Sequence, residues 1–297
     1  MSALLSVVVP SVNGLQDLVG CLEALGAQEA DVEMEVIVVD RVGAAVQEEV
    51  ARDFPRARVI PVARGTSIPR MRALAFDAAS AEAVAVIEDH VIVPKGWARA
   101  LLDARRETGA VVGGSIDNAA RSSLIDWAAF FCEYSHCLAP LPRGPASSVP
   151  GNNVIYDRAL LRAYRGTIAE GRWENYLHDA MRRDGVPLEL RPEISVGHKK
   201  HYTFREYLSQ RFLYARSYAG ERVAGMSFAR RIAYGVAAFG LPPILMYRTV
   251  ARVVAKRRYP AQLVASLPLL ALFILSWTAG EIVGYWAGPA DSLGRVC

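Results

Sequence analysis

Residues 263–286 form an apolar run of 24 residues whose only charge is Glu281. Coiled as an α-helix the run is roughly 36 Å long, enough to cross a hydrocarbon layer of about 30 Å with some tilt. A globular core helix does not need that length, so the run is expected to be a membrane anchor. Glu281 falls near its end, where an acid costs less than at the bilayer centre and a neighbouring helix or a headgroup can take it.

The residues ahead of the anchor say what surface it meets. From Arg205 to Arg258 eleven Arg or Lys stand against two acids, Glu206 and Glu221, a local charge of +9 in a chain whose total is +4. Such a belt suits nucleic acid or an anionic membrane surface. The adjoining anchor decides for membrane lipids, and no nucleic-acid partner is expected. Residues 232–247 are also apolar, but they are only 16 and contain Pro242-Pro243. If they crossed, Lys256-Arg257-Arg258 would lie on the side opposite the soluble part, against the positive-inside tendency. They read as a re-entrant or interfacial segment, followed by one full crossing. Leu4–Val9 is too short for a signal peptide, so the first two hundred residues are expected on the cytoplasmic face of the inner (plasma) membrane. Cys21, Cys132, Cys137 and Cys297 show neither paired metal spacing nor a disulfide framework, which suits a reducing compartment.

The soluble region alternates two periodicities. Leu4–Pro10, Val36–Asp40, Arg58–Val62 and Ala83–Ile87 are short β-branched or apolar runs of strand length. Between them, Gln16–Gln28 places Leu18, Cys21, Leu22 and Leu25 at helical spacing, Ala44–Asp53 is a weaker helix, and Met71–Ala79 another. This order predicts an α/β fold with a mostly parallel central sheet covered by helices, which binds ligands beyond the carboxyl ends of its strands. The residues at those ends are Pro10–Asn13, Asp40 and Glu88-Asp89-His90. The first strand is not followed by Gly-x-Gly-x-x-Gly, and there is no Gly-Lys-Ser/Thr phosphate loop. Both absences weigh against dinucleotide oxidoreductases and phosphate-loop ATPases.

These motifs, in this order, resemble glycosyltransferase family 2, inverting enzymes with a GT-A type nucleotide-sugar fold; the resemblance covers roughly Leu4–Tyr214. It implies that Pro10, Val12 and Asn13 line the donor nucleotide, that Asp40 contacts the base, and that Arg64, Gly65 and Arg70 line the diphosphate. Glu88-Asp89-His90 stands where the family has Asp-x-Asp, so Glu88 and His90 are implied metal ligands, joined by His198 after Val196-Gly197, with Asp89 on the nucleotide. The cofactor expected is Mn²⁺ or Mg²⁺, and the donor a UDP-sugar in preference to a GDP-sugar. The family opens a helix with Glu-Asp, whose aspartate deprotonates the acceptor; here the pair reads Glu174-Asn175, and the amide cannot accept a proton, which leaves Glu174 as the catalytic base. Gly151-Asn152-Asn153 resembles an acceptor-side loop, in which Asn152 and Asn153 can donate to and accept from sugar hydroxyls. Gln210, Arg211 and Tyr214 fall where processive relatives carry Gln-x-x-Arg-Trp and are expected to hold the acceptor.

The reading divides the chain into a glycosyltransferase domain (1–204), a basic interface helix (205–231) and a membrane region (232–297). It implies sugar transfer from a nucleotide-diphosphate sugar to a lipid-linked or cell-surface glycan acceptor. Two alternatives remain open at this point: transfer to bare polyprenyl phosphate, and a membrane-bound nucleotide-sugar-binding module without catalysis. Oligomeric state is not specified.

Overall fold

In the computed structural model, which describes residues 3–28 and 31–296, strands and helices alternate from the start. The first stretch runs β1 (Leu5–Ser11), α1 (Leu15–Gly26), β2 (Met34–Asp40), α2 (Ala44–Asp53), β3 (Ala57–Pro61), α3 (Ile68–Ala78) and β4 (Ala83–Val86). After it come β5 (Val91–Ile92), α4 (Trp97–Thr108), β6 (Val111–Asn118), α5 (Leu124–Tyr134), β7 (Gly144–Pro145) and β8 (Val154–Asp157). Three helices, α6 (Arg158–Ala163), α7 (Arg165–Ala169) and α8 (Glu174–Arg183), precede the long strand β9 (Leu188–His198). The remainder is helical: α9 (Phe204–Arg222), α10 (Phe228–Ala237), α11 (Leu241–Lys256) and α12 (Pro260–Ala287).

The strands form one sheet in the order β3-β2-β1-β4-β8-β6-β9-β5, with β7 also on β9. The four leading strands are parallel, so the residues that follow β1, β2 and β4 emerge on one edge. The expected parallel core is therefore present, and β8 is inserted antiparallel between β4 and β6. β1 is buried along its whole length because helices cover both faces, which is why its sequence is a continuous apolar run rather than an alternating one. Val8, Ile37, Met71, Val84, Val154 and Met181 belong to the core cluster on one of those faces. Each such side chain stabilises by about 1.5–3 kcal/mol relative to exposure.

β9 is the strand that matters most for the site. It pairs in parallel with β6, but the register shifts from Gly114↔Arg191 to Ser115↔Ser195, so residues 192–194 of β9 have no partner across the ladder. The Asn153 amide fills this bulge, donating to the carbonyls of Ser115 (2.9 Å) and Ile194 (2.8 Å). Past the bulge the strand resumes and ends with Val91↔His198, antiparallel to β5.

The chain divides into two compact units, Met1–Ala119 with Ala139–Lys199, and Ala120–Leu138 with Lys200–Cys297. The first holds the sheet. The second is built on α12, which packs along α9 and α5. Gly280 and Gly284 face the carbonyls of Phe212 and Arg216 so closely that a Cβ at either would force the two helices apart. Glu281 is buried, accepting from Trp277 Nε1 (2.8 Å) and the Tyr285 hydroxyl (2.7 Å), with Arg222 at 3.6 Å. Among the described residues α12 is the one helix long and apolar enough to cross a membrane. The apolar stretch 232–247 is shared between α10 and α11. Pro242 and Pro243 sit in the first turn of α11, where no intrahelical N–H partner is lost, and start that helix rather than break it.

Candidate functional site

Asp89 is the anchor of the polar edge. Its buried carboxylate accepts from the backbone N–H groups of Val12 (2.7 Å) and Asn13 (2.8 Å) and from the Asn13 amide (2.7 Å), which clips the turn after β1 to the turn after β4. Burial works against its charge, but His90 and the two N–H donors outweigh it and hold the carboxyl below its ordinary range. Asp89 Oδ1 also lies 2.9 Å from His90 Nδ1. With Nδ1–H donating there, Nε2 points away from the clip.

Three groups converge on that side. His90 Nε2 lies 2.8 Å from His198 Nε2 and 3.4 Å from Glu88 Oε2, and one ligand atom from each of the three residues falls within 4.8 Å of the others. The backbone fixes the arrangement: Lys199 N–H donates to the His90 carbonyl (3.0 Å), and Ala119 N–H to that of His198 (2.9 Å). Burial disfavours the charged His90 ring, yet Asp89 and Glu88 overcome it and push its pKa up to about 9. Glu88 is likewise penalised by burial but held well below the usual carboxylate range by His90, Arg72 and His198. The positive charge that these carboxylates draw onto an imidazole is the charge a divalent cation would supply, and the donor set fits one.

A second carboxylate is wired to the first. Arg72 on α3, with its side chain only 7% exposed, places Nη1 2.7 Å from Glu174 Oε2 and Nη2 3.6 Å from Glu88 Oε1. Glu174 opens α8, as expected, and remains 28% exposed. One turn along the same helix His178 is buried, which holds its pKa down at about 4, so the neutral Nε2 accepts from the Tyr156 hydroxyl (2.6 Å) and moors the helix to β8. Asn152 donates to Glu88 Oε2 (2.7 Å) and so steadies that carboxylate.

The structure therefore brings Val12, Asn13, Glu88, Asp89, His90, Asn152, Glu174 and His198 into one network in the first unit. Pro10 is buried within β1, while Arg64 and Gly65 lie on an exposed loop and Arg70 donates to the Ala169 carbonyl (3.1 Å). Two of the expected residues spend hydrogen-bonding capacity within the fold. Asp40 is buried, and its carboxylate accepts from Ser11 Oγ, the N–H groups of Val42 and Gly43, and Gln47 Nε2. Those four donors hold the carboxylate in the loop that follows β2. Asn153 is also fully buried; besides its two carbonyl contacts it accepts from Trp97 Nε1 (2.9 Å), so its amide ties β6, β9 and the start of α4 together. Gln210, Arg211 and Tyr214 lie on α9 in the second unit. There the Arg211 guanidinium stacks 4.1 Å from the Trp277 ring centroid and lies 3.7 Å from Glu133, which accounts for its burial by packing. Arg72 is the residue that sequence reasoning missed. The signal was present, since Ile68, Arg72 and Ala75 share one stripe of α3 and a cation on a buried stripe needs partners.

The sequence pattern of glycosyl transferase family 2 matches residues 6–162, just over half of the chain. No curated protein sequence matches it. Among solved structures, the crystal structure of S. aureus TarS 1–349 superposes with a TM-score of 0.52 at 14% sequence identity, covering 94% of this chain and 90% of that one. At that identity the likeness is one of fold.

Proposed function

The chain belongs to glycosyl transferase family 2, and from that premise we propose that it transfers a sugar, with inversion, from a nucleotide-diphosphate sugar to a lipid-linked or surface-glycan acceptor at the cytoplasmic face of the membrane. The GT-A type α/β fold is the one expected from the sequence. The observation that carries the mechanistic reading is the convergence of Glu88, His90 and His198 at the sheet edge, tied through Arg72 to Glu174.

In this reading Glu88, His90 and His198 hold a divalent cation, Mn²⁺ or Mg²⁺. Bound there, it would offset the charge that develops on the leaving nucleoside diphosphate. Val12 and Asn13 shape the donor side through Asp89. Arg72 holds Glu174 by Oε2, which orients the carboxylate and leaves Oε1 to take the proton from the attacking hydroxyl, a general-base contribution typically of about 10²–10⁴ in rate. UDP-sugars are favoured over GDP-sugars as donors. The reading places α12 across the membrane and lays α10 and α11 on its surface. Support comes from Phe228, Phe239 and Tyr247, all large, apolar or aromatic, and strongly exposed, beside Arg248, Arg252 and Lys256. Membrane attachment in turn makes an amphiphilic acceptor the natural substrate class.

The test is Glu174→Gln. Membranes carrying the full chain are given radiolabelled UDP- and GDP-sugars with Mn²⁺ or Mg²⁺, and label in the lipid and glycan fractions is counted. The variant is expected to bind nucleotide as the wild type does while transfer falls by about 10²–10⁴. Near-normal turnover would place the base elsewhere, and nucleotide binding without hydrolysis or transfer in the wild type would favour a non-catalytic binding module.

A further inference from the structure

The family's usual triplet supplies oxygen alone, whereas two of the three converging groups here are imidazoles. A pair of imidazole nitrogens 2.8 Å apart is either one N–H···N hydrogen bond or two lone pairs on a shared ion. Two donors at that separation, each about 2.1 Å from one ion, subtend about 85°, close to neighbouring positions of a six-coordinate shell. Glu88 Oε2, 3.4 Å from His90 Nε2, adds one carboxylate oxygen beside the pair.

The site is also built before any nucleotide arrives. Asp89 fixes the His90 ring at Nδ1 and is itself fixed by two backbone N–H groups. Asn152 and Arg72 steady Glu88. β5 pairs with β9 at Val91↔His198, next to His90 in sequence, so the two imidazoles are locked to each other through the ladder. None of these restraints involves a ligand oxygen from a donor.

We infer that Glu88, His90 and His198 form a preorganised two-imidazole, one-carboxylate site that takes a transition-metal divalent ion such as Mn²⁺ or Co²⁺ in preference to Mg²⁺, and takes it without nucleotide. Imidazole nitrogen favours first-row transition ions, and affinity rises along that row. Mg²⁺ prefers hard oxygen ligands and dehydrates reluctantly, so exchanging two waters for two imidazoles gains it little. This rests on the reading of the three residues as the cation site and adds to it which ion, and when.

The experiment uses the detergent-solubilised full chain and Mn²⁺ alone. Electron paramagnetic resonance is expected to show loss of the free Mn²⁺ signal on adding protein, with pulsed spectra carrying ¹⁴N modulation from directly bound imidazole. Mg²⁺ should displace the ion only at an excess on the order of tenfold or more. His198→Gln should weaken Mn²⁺ binding and reduce the ¹⁴N modulation. His90→Asp, which restores a carboxylate, should narrow the gap between Mn²⁺ and Mg²⁺, so the idea can be checked by a gain as well as a loss. Mn²⁺ bound without nitrogen modulation, or displaced by equimolar Mg²⁺, overturns the selectivity while leaving the cation site standing. No Mn²⁺ binding until UDP is added overturns the preorganisation, and none under either condition overturns the cation site itself. The transfer assay on Glu174→Gln is independent of all three results.

Discussion

Replacing Arg72 by Met is expected to lower the thermal midpoint of the detergent-solubilised full chain by about 5–10 °C at neutral pH. The guanidinium donates at 2.7 Å to Glu174, a charge-assisted hydrogen bond of about 1.5–3 kcal/mol. Its 3.6 Å approach to Glu88, whose side chain is 18% exposed, adds about 1 kcal/mol or less. Against this, Met recovers part of the cost of burying a cation, and that cost is raised here because Arg72 Nε is buried with no hydrogen-bond partner. A net loss of about 2–3 kcal/mol remains, and domains of this size shift by roughly 2–4 °C per kcal/mol. Scanning calorimetry on Arg72→Met, Glu174→Ala and the double variant checks both size and origin. The two losses should fall short of additivity by about 1.5–2.5 kcal/mol, because each removes the same contact. A midpoint within about 1 °C of the wild type, or strictly additive losses, would refute the reasoning.

Two further outcomes follow from other contacts. Glu35 accepts from Ser6 Oγ, from the N–H and hydroxyl of Ser80 and from Ala81 N–H; burial opposes its charge, but these donors outweigh it and lower its pKa below the ordinary 4.5. A depressed folded-state pKa gives stability that is full above the unfolded value and lost as the pH falls through the folded one. The wild type should therefore exceed Glu35→Gln by about 1 kcal/mol or less in urea unfolding at pH 7, solvent screening holding the figure down at this partly exposed group, and lose that margin as the pH falls below 4.5 and through the lowered folded-state value; an equal margin at neutral and acid pH would sink the assignment. In Gly114→Ala the new Cβ would run into the Ile194 carbonyl and the Asn153 amide, and neither can retreat without abandoning the bulge. A loss of about 4 kcal/mol or more is expected, seen as failure to recover folded protein, and a variant with wild-type stability would contradict the packing described.

Much of the first unit was legible because local periodicity and tertiary role agree there. β1, β2, α2 and β4 lie within one or two residues of their expected positions, since each is a run whose apolar pattern is the pattern it buries. Glu88 and His90 stand at the end of a buried strand and His198 was singled out by the family resemblance; the three lie close together in the fold. Distant partners are what a local pattern leaves out. Asp40 and Asn153 have the residue types of ligand-binding groups, and nothing local in the sequence announces their bonds to Ser11, Gln47, Trp97 and the bulge carbonyls. Arg72 finds its acceptors 16 and 102 residues away, beyond any local window. Nor does periodicity register β8, which enters antiparallel between strands that run the other way.

The bulge at residues 192–194 also sets a parity. Side chains alternate along a strand, so removing one residue from that segment, if the strand downstream slid back to close the gap while Leu188–Arg191 kept their pairing, would turn His198 to the opposite face. Removing two would restore the face but draw the ring about 6.8 Å along the strand axis. Length changes at this one place are therefore filtered by arithmetic before chemistry, and a descendant of this chain could shorten many of its surface loops more freely than it could shorten those three residues.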